Sequence, residues 1–381
     1  MQKFEKKIIN ICIYRSSSIG DMVLASSCLQ LLIPFGEAVN VTWLGGEPAL
    51  GFMQRAFPKV RFLDIKSTPN NYTNLKAFSI ALANIDLFIN LQNNLKSRIV
   101  ALLCKLSCKC HVVSMNKKQG LRIWLILRAL FLGRRVKYRN LGARQQFYQF
   151  KLMAQCLFEQ IKKLNPTDNT LASIINKLEI ESCRPYFSLD YKPEKTNAFE
   201  KLPEKFFAIA PGASYLAKRC PEEIFIEILI KLSHLDQRLA VVFLGDKNDF
   251  NIAERIILGC KKYLDCSFFQ NLCGELSLSD TALVLKKSRA LLANDSSLNH
   301  IAEAVHTPVA AVFGATSEDF GFRTWSDSSQ TFSANLGCRP CSKHGKKVCR
   351  YNDMKCYHAI DKNQIVAFLE TKFSPIKEKD K

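Results

Sequence analysis

Short apolar runs, each closed by a polar turn and followed by a segment with helical spacing of apolar residues, recur along this chain. That alternation predicts parallel strands covered by helices on both faces. In the first half, strands are expected at Lys7 to Tyr14, Val39 to Leu44, Arg61 to Ile65 and Asp86 to Leu91, with a helix over Asp21 to Leu32 and helical patterns between the strands. From Cys183 to Lys205 the periodicity lapses into Pro185, Pro193, Pro203 and scattered Lys and Glu, the composition of a linker. The alternation then restarts. Strands are expected at Phe206 to Ala210, Leu239 to Leu244, Ala290 to Ala293 and Val309 to Phe313, and helices at Pro221 to Leu232, Asn251 to Cys260 and Ser279 to Ser288.

At 381 residues the chain is long enough for two domains rather than one core. The expected division is a Rossmann-like domain over 1–184, a linker over 185–205, a second Rossmann-like domain over 206–345 and a basic, Cys-containing tail over 346–381. Hydrophobic residues at 48% and charged residues at 23% exclude wholesale disorder and fibrous repeats. Met1 to Tyr14 is too short and interrupted in its apolar part for a secretory signal, and no uninterrupted apolar run reaches the ~18 residues of a spanning helix. A cytoplasmic protein is expected, and fifteen cysteines without an export signal then read as reduced thiols.

Charge changes this picture. The formal net charge is +20, and Leu87 to Phe158 contains 14 Lys or Arg with no Asp or Glu. A solvated basic face is the bland reading; the size of the imbalance favours an anionic partner, whether nucleic acid, phosphorylated glycolipid or membrane surface. Gln119 to Gly133, around Trp124, reads either as a buried helix or as an interfacial membrane helix, and Gln145 to Leu164 is a further helical pattern.

Three turns carry candidate chemistry. Arg15-Ser16-Ser17-Ser18-Ile19-Gly20-Asp21 joins a strand to a helix, where Asp21 reads as an N-terminal helix carboxylate or as a general base, with Gly20 permitting close approach to the backbone. Pro211 to Pro221 offers Ser214, free amides and the cations Lys218 and Arg219, a set suited to a diphosphate. Asn294-Asp295-Ser296-Ser297-Leu298-Asn299-His300 places Asp295 as an expected cap, the amides of Ser296 to Asn299 as an anion site and His300 on the Ser297 face of the same helix. Near the end, Cys338, Cys341, Cys349 and Cys356 include one pair with zinc-ligand spacing and one wider pair, so a structural zinc and plain thiols are both open.

Together these segments resemble glycosyltransferase family 9, the bacterial lipopolysaccharide heptosyltransferases. The likeness rests on Ser18-Ile19-Gly20-Asp21, on Pro211 to Pro221, on Asp295 to His300, and on Pro308 to Gly314, with Asp86 to Gln92 leading to Lys96 and Ser97 as a further match. The resemblance implies a GT-B fold, two doubly wound Rossmann-like α/β domains facing across a cleft. It also implies an inverting, metal-independent transfer of heptose or a related sugar from an ADP-sugar to a phosphorylated lipopolysaccharide core. On that pattern Asp21 is the catalytic base. Ser214, Lys218, Asp295, Ser296, Ser297 and His300 bind donor. Ser18, Gly20, Lys96, Arg98, Arg134 and Arg135 meet the acceptor. No cofactor is required, and the enzyme is expected at the inner face of the bacterial inner membrane.

Two positions depart from the pattern: Ser297 stands where the family has glycine, and Cys220 where it has tryptophan. A non-catalytic, glycolipid-binding relative is therefore one alternative. A nucleic-acid-binding protein is the other, and it is disfavoured because it leaves the paired turns unexplained and no nucleic-acid module is present.

Overall fold

The computed structural model describes residues 8–65, 84–115, 184–236, 238–346 and 348–373, together with Leu82, Trp124, Ile126, Leu127, Phe158 and Glu159. Arg134, Arg135 and most of the two helices expected at Gln119 to Gly133 and Gln145 to Leu164 lie outside the described residues. The chain forms two compact units; the main change from the first to the second falls between Asp190 and Tyr191, and of the described residues before it Trp124, Ile126 and Leu127 group with the second.

The first unit is built on β1 (Ile9–Tyr14), α1 (Ile19–Ala25), α2 (Ser27–Leu32), β2 (Val39–Gly45), α3 (Ala49–Ala56), β3 (Arg61–Asp64), β4 (Leu87–Asn90), α4 (Leu95–Cys108) and β5 (His111–Ser114). Its five-stranded sheet is parallel with order β3-β2-β1-β4-β5. β1 is flanked by β2 on one side and β4 on the other, so the strand order reverses there. Register aligns Tyr14 with Leu44 and Asn90, and Asn90 with Ser114, so the four strands end in one row. The central strands are buried on both faces, which is why they read as continuous apolar runs. The helix expected over Asp21 to Leu32 is divided at Ser26, where the hydroxyls of Ser26 and Ser27 donate to the carbonyls of Val23 and Leu24 at 2.6 and 2.9 Å.

Residues 19–38 are helical nearly throughout, and an 18-residue window within them has a mean hydropathy of 1.5, long and apolar enough to cross a bilayer by composition. A count of uninterrupted apolar residues misses this. Packing explains it, because 67% of that window is buried in the unit.

The second unit follows with α5 (Thr196–Glu200), β6 (Phe207–Ala210), α6 (Glu222–Ser233), β7 (Val241–Phe243), α7 (Phe250–Cys260), β8 (Phe269–Asn271), α8 (Leu278–Lys287), β9 (Leu291–Asn294), α9 (Ser297–Ala304), β10 (Val309–Phe313), β11 (Gln330–Ser333), α10 (Lys355–His358) and α11 (Lys362–Glu370). Its six-stranded sheet is parallel with order β11-β10-β9-β6-β7-β8 and reverses between β6 and β9. Periodicity had not announced β5, β8 and β11, all at sheet edges, where strands are short and carry polar residues.

Two expected divisions need restating. Residues 184–205 are not a free connection. Phe187 is buried edge-on against Phe52 and Phe57 in the first unit, whereas Tyr191 donates to the Ser279 carbonyl and the Glu194 amide to Asp280 in the second. Nor do residues 346–373 form a tail: Tyr357, Ile360, Ile365 and Leu369 are buried in the second core, and α11 packs on α6. The charged positions between those apolar residues hid the stripe. Leu369→Ala should therefore lower the stability of the second unit by about 2–5 kcal/mol, the usual cost of emptying a buried leucine site. Urea titration followed by circular dichroism measures it, and an unchanged midpoint would restore the tail.

Candidate active site

Each unit concentrates its charged turn residues where its strand order reverses, the place at which loops leaving neighbouring strands diverge and open a crevice. In the first unit the turn runs from Tyr14 to α1. Arg15 is buried; its Nη1 donates to the Leu91 carbonyl at 2.9 Å, beyond the end of β4, and its Nη2 lies 2.5 Å from Asp21 Oδ2. The same Asp21 oxygen accepts from the amide and hydroxyl of Ser18, each at 3.3 Å, which makes Ser18 and Asp21 a capping box. Asp21 is thus both a helix-start carboxylate and a half of an ion pair, held at the sheet edge with its side chain 21% exposed. Gln92 closes the turn from the β4 side, accepting from the Ser16 amide and donating to the Ser17 hydroxyl at 3.1 Å.

Of the expected acceptor residues, Gly20 is buried in the first turn of α1, Ser18 is exposed, and Lys96 and Arg98 are exposed in the first turn of α4. The Arg98 guanidinium is tied back to Asn93 Oδ1 at 2.8 Å, and Lys96 stands clear toward solvent. Arg15 was not singled out from the sequence as a site residue, although an arginine immediately after a buried strand is a visible signal.

In the second unit the loop after β6 and the turn after β9 are joined by one fully buried side chain, Asn294. Its Nδ2 donates to the Pro211 carbonyl at 2.6 Å, and its Oδ1 accepts from the Cys220 amide at 3.0 Å, so both ends of the Pro211–Cys220 segment hang on it. Lys218, in a single tight turn at Leu216–Lys218, reaches Asp295 Oδ2 at 2.7 Å, and Thr316 donates to the same oxygen at 2.7 Å. The two strongest charges expected in this site are therefore paired with each other. Arg219 turns away to the Ala213 carbonyl at 2.9 Å, and Ser214 is exposed.

Asp295 does not cap the following helix: Ser296 occupies the N-cap position, so the amides of the first turn of α9 face the loop. Asn294, Thr316 and Arg339 are the residues that sequence reasoning missed. Arg339, 1% exposed, is bonded to the carbonyls of Gly314, Ala334 and Thr316, fixing the turn after β10 from below. Tyr357 fits against Gly314, where a Cβ would collide with its ring, and donates to the Ala217 carbonyl at 3.1 Å.

His300 does not stand open beside Ser297. It is buried and stacked on Trp325, with ring centroids 5.6 Å apart and planes 15° from parallel. One turn further along α9, buried Glu303 accepts from the amides of Trp325 and Ser326, both at 2.8 Å, which holds the tryptophan over the histidine. Burial pushes the Glu303 carboxyl up to about 8 against the opposing pull of those amides and of Ser329.

The two departures from the expected pattern are accommodated locally. Cys220 is buried in the core that holds Ile224 and Tyr357, and Ser297 takes ordinary right-handed helical geometry that needs no glycine. Cys338, Cys341, Cys349 and Cys356 line one cavity of about 280 Å³, yet among the described residues no group of three or more His, Cys, Asp or Glu is arranged to hold a metal ion. Burial raises the Cys341 thiol and pushes Cys356 up to about 12, which favours the neutral form of both. Cys341 is also engaged through its amide, 3.1 Å from the Ala315 carbonyl.

Comparison with known proteins decides the family. The profile of glycosyltransferase family 9 (heptosyltransferase) matches residues 79–352, more than half of the chain. The chain belongs to glycosyltransferase family 9. Among curated relatives, lipopolysaccharide heptosyltransferase 2 of Escherichia coli K12 is 30% identical over 128 residues, 32% of this chain and 35% of that protein. Lipooligosaccharide heptosyltransferase 2 of Haemophilus ducreyi is 32% identical over 130 residues, 33% and 36% of the two chains. This chain thus spans about a third of the length of those curated relatives.

Solved heptosyltransferase structures extend the likeness in fold. E. coli ADP-heptose lps heptosyltransferase II matches with a TM-score of 0.65 and 18% identity over 96% of this chain and 98% of that one. E. coli heptosyltransferase WaaC with ADP matches at 0.56 and 18% over 96% and 100%. The family 9 fold is GT-B, and the two parallel-sheet α/β units described here are its two domains.

The raised Glu303 carboxyl predicts a pH signature. Its folded value, about 8, lies above the ordinary 4.5, so its stabilising contribution is complete below pH 4.5 and is lost as pH rises through about 8. Glu303→Gln removes that titration while keeping an acceptor for the two amides. Between pH 5 and pH 8.5 the melting temperature of the wild type should fall relative to the variant; parallel profiles would show that Glu303 does not titrate in that window.

Proposed function

We propose that this family 9 member is an inverting glycosyltransferase that moves heptose or a related sugar from an ADP-sugar to a phosphorylated lipopolysaccharide core, working in the cytoplasm at the inner face of the bacterial inner membrane. The observation that carries the reading is the placement of Asp21, oriented by Arg15 and Ser18, at the point where the first sheet reverses. The second unit supports it with Lys218, Asp295 and the α9 amides at the matching point of its own sheet. Relatives named as lipopolysaccharide heptosyltransferases and a related structure holding ADP support the choice of donor and acceptor class.

In this reaction Asp21 takes the proton from the acceptor hydroxyl as that oxygen attacks the anomeric carbon opposite the departing ADP, which inverts the centre. Negative charge then grows on the diphosphate. The α9 amides and the Lys218 ammonium lie where they would stabilise it, and Ser214, Ser296 and Ser297 would complete the donor contacts. Lys218 stays paired with Asp295, so it acts as a fixed dipole whose positive end faces the phosphates, while His300 supports the turn through its stack on Trp325. On the acceptor side Ser18, Gly20, Lys96 and Arg98 would approach the phosphorylated sugar, joined by Arg134 and Arg135.

Asp21→Asn should reduce kcat by about 100-fold or more, because the general base is lost. Donor affinity should hold, since the residue belongs to the other unit. Kinetics with ADP-heptose and truncated lipopolysaccharide, read by mass spectrometry, test this, and near-normal turnover removes Asp21 from the mechanism.

For the donor site, Lys218→Ala should weaken ADP binding by about tenfold or more, because one charge-assisted contact goes and Asp295 is left without its cation. Titration calorimetry with ADP on Lys218→Ala and Asp295→Asn measures it. Unchanged affinity in both places the donor elsewhere.

A further inference from the structure

Helix α4 carries its hydrophobicity on the wrong side for a core helix. Ser97, Val100, Ala101 and Cys104 face inward and are buried, whereas Leu95, Ile99, Leu102 and Leu106 are 77%, 49%, 56% and 70% exposed. At 100° per residue these four fall within an arc of about 60° on the outer face. Lys105 and Arg98 lie along one border of that stripe, Lys96 along the other, and Lys109 follows at the helix end, all exposed. The helix lies inside the segment from Leu87 to Phe158, which has 14 Lys or Arg and no carboxylate. Isolated exposed leucines are ordinary, but four aligned over three turns between cations are not.

We propose that the outer face of α4 is a membrane-contact element, with Leu95, Ile99, Leu102 and Leu106 entering the acyl boundary of an anionic phospholipid bilayer while Lys96, Lys105 and Lys109 meet its headgroups. The inference rests on the membrane reading above and gives it a particular surface. Charge complementarity selects the occupant. An anionic lipid surface presents both a negative plane and an apolar layer beneath it, and this face presents cations bordering an apolar stripe. A nucleic acid would use the cations and leave the leucines in water. A second copy of the same face would bring like charges together at both borders.

The test uses the full chain and two variants. One replaces Leu95, Ile99, Leu102 and Leu106 with Gln, an exposed-site change to a good helix former; the other replaces Lys105 and Lys109 with Gln. Co-sedimentation with vesicles of phosphatidylcholine alone, or mixed with phosphatidylglycerol, reads binding, and ADP titration with melting temperature reads the integrity of the fold.

The apolar variant should lose about tenfold or more of its partition onto the mixed vesicles. Each lysine should contribute about fivefold at 0.1 M salt and little at 1 M. ADP affinity should be unchanged in both variants. Wild-type binding that survives in the apolar variant overturns the role of α4 while leaving membrane attachment in place. Absence of wild-type binding to the mixed vesicles overturns both. Concentration-dependent self-association lost in the apolar variant, without vesicle binding, assigns the face to a second copy instead. Sugar transfer to a water-soluble acceptor fragment, measured without vesicles, keeps the catalytic reading separate: its presence or absence decides that reading alone.

Discussion

Where a parallel sheet reverses its strand order, the loops from two adjacent strands diverge, and the polar backbone they expose must find partners before anything else can be built there. In each unit buried polar side chains meet this constraint, and one of them spans the gap between the diverging loops. Arg15 bonds the Leu91 carbonyl beyond β4, and Asn294 holds the Pro211 carbonyl and the Cys220 amide. With those groups satisfied, Asp21 in one unit and Lys218 with Asp295 in the other are fixed at the sheet edge rather than left on free loops. Removing either anchor would strand desolvated backbone groups, a cost of about 1–3 kcal/mol for each group left unpaired.

The support beneath the second site comes from far along the chain. Arg339 gathers three carbonyls around the turn after β10, Tyr357 reaches the Ala217 carbonyl, and Glu303 holds Trp325 on His300. Most of these residues act through buried contacts, and none needs to touch a ligand to matter. A histidine at a binding turn can thus be a packing element whose position determines how the first turn of α9 is presented.

How much of this was legible in the sequence follows from what each signal measures. The central strands were read closely because burial on both faces makes them continuous apolar runs; β10 appears at Val309–Phe313 as expected. Of the four edge strands only β3 is expected from the sequence; β5, β8 and β11 are short and partly polar because one side faces solvent. Helix α4 is not among the expected helices although Leu95, Ile99, Leu102 and Leu106 recur at helical spacing; they line its outer face, and the face it buries is made of the small side chains Ser97, Val100, Ala101 and Cys104. Asp21, Lys218 and Asp295 stand out in the sequence because their turns have recognisable spacing, and each lies at the edge of its sheet. Asn294, Thr316 and Arg339 stand apart, because what they bond, backbone groups for Asn294 and Arg339 and the Asp295 carboxylate for Thr316, comes mostly from distant parts of the chain, which no local pattern encodes.

The packing of α11 on α6 bears on how the molecule is made. During synthesis α6 emerges with Ile224, Phe225, Ile228, Leu229 and Leu232 on its inward face, and its partner follows only about 130 residues later, a delay on the order of ten seconds at ordinary elongation speeds. Until then part of that greasy face has no cover, and the nascent chain offers it to any holdase at the ribosome exit.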